Sequence, residues 1–386
     1  MPSFKLLSSL RLTVTLLGFA MVLIFVGTIS QVELGIHEVQ EKFFRSWIAW
    51  WDVMPGRERL YIPIPGGTLL GILLICNLLA AHGTRFKLSW NKAGMIVIHS
   101  GILLMLLGEI LTGLLGREAQ MAITEGEISN YSTFPREVEL VVSRPDGDGL
   151  ETVTAIPQSR LGDEVAFDLD GFTLRIERFF ANSEVLPEAG ASSDAFEKTR
   201  ATEGFGKNYA VRRTPAETAT DRRDLTSAFV EVIPDGAKSQ GRWLLSNAFK
   251  GGQSFEVAGI PWKMSIRPRR LYHPFSIKLL DFSHDRYLGT DVPKNFSSKI
   301  KILNPDTGEN REDLIYMNHP LRYGGLTFYQ AGFEDNDTTS IFQVVRNPAW
   351  TLPYISCAMV GLGLLWVFSQ HLVKAISRRN KLSPTP

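Results

Sequence analysis

Four stretches of the chain are almost wholly apolar, and a much longer one alternates between apolar and polar positions. Leu12–Gln31 runs for 20 residues without a charge, Leu60–Thr84 carries only His82 as a titratable side chain of the usual acid/base kind, and Thr351–Leu372 carries only His371. The remaining apolar stretch is Ala93–Gly116, AGMIVIHSGILLMLLGEILTGLLG, with His99 near one end and Glu109 near the other. At ~1.5 Å per residue its 24 residues reach about 36 Å, enough to cross a bilayer with some tilt. The pattern predicts an integral membrane protein with four transmembrane α-helices, the first three at about 12–31, 62–83 and 93–116 and the fourth within 348–386.

Between spans one and two, Val39, Phe43, Trp47 and Trp50 or Trp51 recur at helical spacing, with Glu38, Glu41, Lys42 and Arg45 elsewhere on the turn. This predicts an interfacial helix over 36–53, lying on its aromatic face at the outer membrane surface. Trp50-Trp51-Asp52 also matches three residues of a tryptophan-rich haem-handling signature, but tryptophans belong at membrane interfaces in any case. Pro63 and Pro65 fall where the second span is expected to start, a position that tolerates missing amide donors.

From Arg117 to Asn347 the patterning changes. Short alternating runs recur, among them Glu137–Val142, Phe172–Glu177, Ala228–Ile233, Phe275–Leu280 and Lys299–Leu303. Between them stand turn-forming clusters such as Pro145-Asp146-Gly147, Pro234-Asp235-Gly236 and Asn304-Pro305-Asp306-Thr307-Gly308. The segment 117–347 is therefore expected to be a large extracytoplasmic antiparallel β-domain, a sandwich or open barrel. Residues 182–224, rich in Glu, Ala, Ser, Thr and Arg, read as a long mobile insertion, with a docking loop as the alternative. The chain thus divides into an N-terminal membrane region (1–116), the β-domain (117–347), and a fourth transmembrane helix with a cytoplasmic tail (348–386).

Charge sets the expected orientation. The flanks 1–11, 84–92 and 373–386 hold nine Lys or Arg and no Asp or Glu, which places both termini in the cytoplasm by the positive-inside bias. Lys5 and Arg11 precede the first span, whose apolar run is long for a signal peptide and is read as an uncleaved helix. A net charge of +1, with no basic stripe interleaved with aromatics, gives no reason to expect nucleic acid; lipid, protein and small ligands remain as partner classes. The two cysteines, Cys76 and Cys357, fall inside predicted spans, with no C-x-x-C pair and no C-x-x-C-H. The chain is therefore neither a thiol oxidoreductase nor itself a c-type cytochrome.

Within span three, residues advance by ~100° each, so Gly94, Gly101 and Gly108 form a nearly straight small-residue stripe suited to close helix packing. His99 stands about 140° or more around from that stripe. Two readings of it are open: a neutral histidine whose N–H bonds a carbonyl or Asn77 across the bundle, or an axial ligand to haem iron. Glu109 is paired or protonated, or else reaches the outer interface. Asn77 reads as an interhelical hydrogen bond, and His82, near Arg85 and Lys87, as a solvated boundary residue.

In the β-domain the densest stretch is Met317–Phe333, MNHPLRYGGLTFYQAGF, which predicts a hairpin turning at Gly324-Gly325. His273, His284 and His319 read as scattered surface or core histidines. No nucleophile–base arrangement, metal-binding helix motif or phosphate-binding glycine loop occurs, so no residue is assigned a catalytic role.

These features resemble the ResB family, the CcsB-type subunit of system II cytochrome c maturation. The order of elements is similar over nearly the full length, and local matches follow in sequence. They are Ser9-Leu10-Arg11-Leu12 leading to Gly27-Thr28, Arg85-Phe86-Lys87 through Gly101 with His99, and Asn318-x-Pro320-Leu321 followed by Gly324-Gly325 and Phe328-Tyr329-Gln330. The resemblance implies a multi-pass protein of the bacterial plasma (inner) membrane, a subunit of a cytochrome c haem lyase or synthase that is not catalytic alone. Its implied work is to help haem cross the membrane and to present it, with apocytochrome c, for covalent attachment. The implied partners are a separate CcsA-type membrane subunit, apocytochrome c, a thiol-reducing protein and membrane lipid. The implied cofactor is haem b, held transiently, with His99 as one axial iron ligand and a partner's histidine as the other. Two further classes stay open: a cofactor-free membrane-anchored scaffold or sensor whose β-domain binds a protein, and a b-type cytochrome moving electrons.

Overall fold

The structure, a computed structural model, describes residues 6–53, 60–85, 89–90, 92–147, 149–191, 196–197, 200–217, 223–286, 289, 293–334 and 338–382. The basic residues Lys5 and Lys87, and parts of the expected insertion, lie outside the described residues. Two compact units form, one chiefly from Met1–Arg117 with Arg346–Pro386, the other from Glu118–Glu217 with Asp221–Val345.

The first unit holds four helices long and apolar enough to cross a membrane: α1 (Leu10–Val39), α2 (Gly67–Arg85), α3 (Ala93–Leu115) and α4 (Leu352–Leu382). Helix α1 packs on α2, and α3 packs on α4. The α3–α4 seam is the glycine stripe: Gly94, Gly101 and Gly108 are buried, and a Cβ at Gly101 would lie 2.9 Å from Val360 Cγ2 and 3.0 Å from the Ser356 carbonyl oxygen. Gly363 of α4 answers from the other side, where a Cβ would meet the Gly94 carbonyl oxygen at 2.8 Å. Such close backbone approach is how small residues drive helix association where water supplies no hydrophobic force.

The stretch 36–53 is not an interfacial helix. Gly35 takes a non-helical conformation (φ 76°, ψ 163°) inside α1, the helix ends at Val39, and a π-helical turn covers Gln40–Phe44. Ile48–Asp52 (β1) then pairs antiparallel with Tyr61–Pro65 (β2). Val39, Phe43 and Ala49 are buried against Leu16, Leu23, Val26 and Leu70, so the apolar spacing that suggested a lipid-facing stripe is spent on a core between α1 and α2. Pro63 and Pro65 lie in β2 rather than in a helix; a strand of a two-stranded ribbon has an open side where a missing N–H is tolerated.

The second unit is antiparallel β. Its strands are β3 (Arg117–Thr124), β4 (Ile128–Pro145), β5 (Glu151–Pro157), β6 (Val165–Leu169), β7 (Phe172–Phe180), β8 (Ser183–Pro187), β9 (Tyr209–Arg213), β10 (Ser227–Pro234) and β11 (Gly241–Ser246). They continue as β12 (Gln253–Val257), β13 (Ile260–Arg286), β14 (Pro293–Asn304), β15 (Glu309–Tyr316), β16 (Leu321–Tyr323), β17 (Leu326–Glu334) and β18 (Thr339–Arg346). A ten-stranded sheet runs β15-β14-β13-β4-β3-β18-β17-β16, with β5 added to β4 and β12 to β13; a four-stranded sheet runs β11-β10-β7-β6.

Two cores result, and the long strands β4 and β13 contribute to both. Their halves Val138–Ser143 and Lys263–Pro268 face the four-stranded sheet across a sandwich core containing Phe172, Leu174, Val230, Phe255 and Trp262. Their other halves join β3 and β14–β18 around a second core of Met121, Phe275, Ile277, Ile300, Phe328 and Phe342. Here the sheet curls until β14 and β15 return toward β17, with Ser298 Oγ donating to Gln330 Oε1 at 2.7 Å and Tyr323 Oη donating to Glu309 Oε2 at 2.7 Å. Register breaks between Pro268 and Arg270 and between Tyr272 and Ile277 mark the passage from one core to the other. Extra residues of this kind bend a strand and raise its twist, which lets one ribbon serve two curved layers.

The insertion at 182–224 is in part regular structure: β8 and β9 form a two-stranded sheet. Val211, with Phe180, Phe229 and Leu244, fills a small core of its own, joined at its edge by Val185, Tyr209 and Phe249. A few well-spaced apolar residues were enough to anchor a segment whose average composition is polar.

Candidate functional site

His99 lies on α3, on a different side from the glycine stripe, and it packs against a side chain of another helix. Its ring meets His82 of α2 edge to face, with centroids 5.2 Å apart and planes at 74°. Antiparallel helices joined by a short connection bring the end of one beside the start of the next, so a residue three before Arg85 meets one seven after Lys92. This corrects the reading of His82 as a solvated boundary residue: it is part-buried and touches the imidazole of His99. His82 Nδ1 lies 2.9 Å from the Leu78 carbonyl oxygen.

Asn77 is not the partner of His99. It is 2% exposed, its Nδ2 donates to the Leu7 carbonyl oxygen at 2.5 Å, and its Oδ1 accepts from Thr13 Oγ1 at 2.6 Å. It therefore ties α2 to the beginning of α1, the interhelical role its position suggested. Glu109 is exposed on α3, and ten residues of helix separate it from His99 by ~15 Å. Cys76 and Cys357 are free thiols on the helix surfaces. Trp90 stacks on Trp366 of α4 at 5.7 Å, and its carbonyl oxygen accepts from Gln370 Nε2 at 3.0 Å.

The β-domain histidines are built into packing. His273 is buried, stacks on Phe275 at 5.3 Å, and shares a 2.7 Å hydrogen bond between its Nε2 and Ser132 Oγ; burial pushes its pKa down. His284 rests against Phe333 at 4.3 Å, and His319 stacks on Tyr316 at 4.6 Å. The hairpin in Met317–Phe333 turns at Gly324 and Gly325, both at positive φ, and a Cβ on Gly324 would strike Phe275 at 2.8 Å. Two consecutive positive-φ residues are what a two-residue hairpin turn needs.

Among the described residues no group of three or more His, Cys, Asp or Glu stands close enough to hold a metal ion. The His82–His99 pair alone therefore cannot complete a metal's coordination; an ion held there must bring most of its ligands with it. Sequence reasoning found His99 but missed His82. The available signal was the order of two apolar helices joined by a short connection, which puts residues near the joint side by side.

The class defined by these elements is a protein of four membrane-length apolar helices carrying a large antiparallel β-domain. The ResB-like family model matches residues 237–349, the part of the β-domain from β11 to β18. NrfI of Wolinella succinogenes is 24% identical over 298 residues, 77% of this chain and 29% of that protein. The cytochrome c biogenesis protein CcsB of Synechococcus elongatus is 32% identical over 148 residues, 37% of this chain and 30% of that protein. CcsB of Prochlorococcus marinus strain MIT 9301 is 43% identical over 56 residues, 14% of this chain and 13% of that protein. The matched part is thus under a third of each of these relatives. Each match is a likeness to ResB-like or CcsB-type proteins over part of the chain.

Proposed function

We propose that this chain is a subunit of a cytochrome c maturation complex in the bacterial plasma membrane, where it helps move haem across the bilayer and present it with apocytochrome c. The names of the relatives support a role in cytochrome c biogenesis. In this reading all four helices are inserted, both termini are cytoplasmic and the β-domain is extracytoplasmic, as the basic flanks favour.

The observation that carries the haem part is His99: an imidazole within an apolar helix, packed on a second imidazole. A ring nitrogen kept inside a membrane helix calls for a functional partner. Haem fits the donor set, because its iron arrives with four porphyrin nitrogens and needs only axial ligands from protein. The two rings touch, which leaves no space for iron between them. His99 then ligates from one side, and the second axial position is taken by a histidine of a separate CcsA-type subunit. Haem is the cargo here; the chain's own residues hold and orient it, and the β-domain receives the apocytochrome or the partner. Thiol reduction falls to another protein.

The test is to purify the chain with a CcsA-type partner and record the reduced spectrum, with and without His99→Ala. The reading expects haem in the complex and its loss, together with loss of cytochrome c formation, in the variant. Unchanged haem and unchanged cytochrome c formation in His99→Ala would overturn it. A complex free of haem that still supports cytochrome c formation would favour a cofactor-free scaffold, in which the two imidazoles serve only each other.

A further inference from the structure

The hairpin β1–β2, which joins α1 to α2, has two unlike faces. Ala49, Trp51 and Ile64 belong to the core between α1 and α2. On the other face the register places Ile48, Trp50, Pro63 and Tyr61 together, with Trp50 59% and Tyr61 47% exposed. Asp52, opposite Tyr61, marks the polar edge of this face. Other charges lie ahead of the strand, where Glu38 pairs with Lys42 and Glu41 with Arg45.

The face is fixed in position. Gly66 N–H donates to the Trp47 carbonyl oxygen at 3.0 Å and Thr68 N–H to that of Ser46 at 3.2 Å, so the start of α2 is bonded to the base of the hairpin. A Cβ on Gly67 would stand 2.3 Å from the Phe44 carbonyl oxygen, an approach that glycine alone permits. The apolar run of α2, Gly67–Thr84, is ~27 Å long at ~1.5 Å per residue, against about 30 Å for the hydrocarbon of a bilayer. Beside α1 the chain turns back after Val39 until Phe44 Cζ would meet a Cβ on Gly27 at 3.0 Å, and Gly27 is ~26 Å along the helix from Leu10. Both helices thus set the base of the hairpin near the hydrocarbon boundary opposite Leu10 and Thr84. The hairpin can go no deeper, because a two-stranded sheet has two open edges whose backbone polar groups need water or headgroups. At this level aromatic rings with an apolar body and a polar tip are favoured.

We infer that the outward face of β1–β2 is a lipid-binding surface, seated in the headgroup layer of a phospholipid bilayer with Trp50 and Tyr61 as its anchors. The inference rests on the reading that the four apolar helices cross the membrane.

The test uses the full chain in phosphatidylcholine nanodiscs, with Cys76→Ser and Cys357→Ser so that one environment-sensitive fluorophore is placed at a time. Trp50→Cys carries it on the hairpin, Met105→Cys in the middle of α3 and Leu150→Cys between β4 and β5; all three side chains are exposed. Quenchers are aqueous iodide and lipids spin-labelled either near the headgroup or near the end of the acyl chain. At position 50 the shallow spin label should quench more than the deep one, and iodide about fivefold less than at position 150. At position 105 the deep label should quench most. Iodide quenching at 50 equal to that at 150 would show a face in water, and quenching by neither iodide nor lipid would show a face covered by protein. Either result overturns the lipid surface, as does stronger quenching there by the deep label. A label at 105 open to iodide and untouched by the lipid labels overturns the membrane reading, and the inference with it. Should Trp50→Cys fail to fold, Tyr61→Cys takes its place with the same outcomes.

Discussion

Replacing Gly101 by Ala tests the α3–α4 seam against its own internal control. An alanine favours a helix over glycine by about 0.8–1.0 kcal/mol, so on an isolated helix the change stabilises. At Gly101 the new Cβ would stand 2.9 Å from Val360 Cγ2, 3.0 Å from the Ser356 carbonyl oxygen and 3.2 Å from Met359 Cβ. One of these atoms is backbone and cannot turn aside, so α4 must move away by several tenths of an ångström. That movement loosens the seam as far as Gly94 and Gly363, and overpacking of this kind costs about 1–3 kcal/mol. At Gly113 of the same helix, by contrast, nothing lies within 4 Å of a Cβ. Gly113→Ala should therefore be neutral or stabilising by up to about 1 kcal/mol, and Gly101→Ala should be less stable than Gly113→Ala by about 1–3 kcal/mol. Thermal or denaturant unfolding of the full chain in a mild detergent, followed by circular dichroism, measures the difference. Equal stability of the two variants, or a more stable Gly101→Ala, would refute the close-packed seam.

Asn77→Leu removes the bonds to Leu7, Ser9 and Thr13 that tie α2 to α1; at the size typical of interhelical bonds in membranes it should cost about 1–2 kcal/mol, seen as earlier unfolding in the same detergent assay. His273 gives a pH dependence: burial lowers its folded pKa below the ordinary value of about 6.5, so the neutral ring's contribution is complete above that value and is lost as pH falls from there through the folded pKa. Unfolding of the full chain should therefore come at lower temperature as pH is taken from about one unit above that value to about one and a half units below it, and His273→Gln should flatten that slope; an unchanged slope would mean the decline has another source.

How much could be read from the chain follows the range of the forces involved. The four long apolar helices were legible because exclusion of charge over about 20 residues is a local property of the sequence. The alternating runs at Glu137–Val142, Phe172–Glu177, Ala228–Ile233 and Phe275–Leu280 all lie in strands, because alternation is the local mark of a half-buried strand. Val39, Phe43 and Trp47 misled, since helical spacing says that residues share a face and is silent about what covers it. In the folded chain Val39 and Phe43 are covered by α1 and α2, and the tryptophan-rich segment after them pairs with β2. The segment 182–224 misled in the opposite way, because its average polarity hid Val185, Tyr209 and Val211, which find a core only once Phe229 and Leu244 arrive from later strands.

The sequence by itself determined the number of apolar helices, the antiparallel β-domain, the glycine face of α3 and the singular position of His99. Each is carried by periodicity or composition within one segment. Only the tertiary structure decided that β4 and β13 are shared by two cores, that Asn77 serves α1, and that His82 stands against His99. These depend on residues brought together from different helices and strands, which no local period encodes. For His99 the difference is concrete: the chain singled out one imidazole, and the packing of α2 on α3 made it a pair.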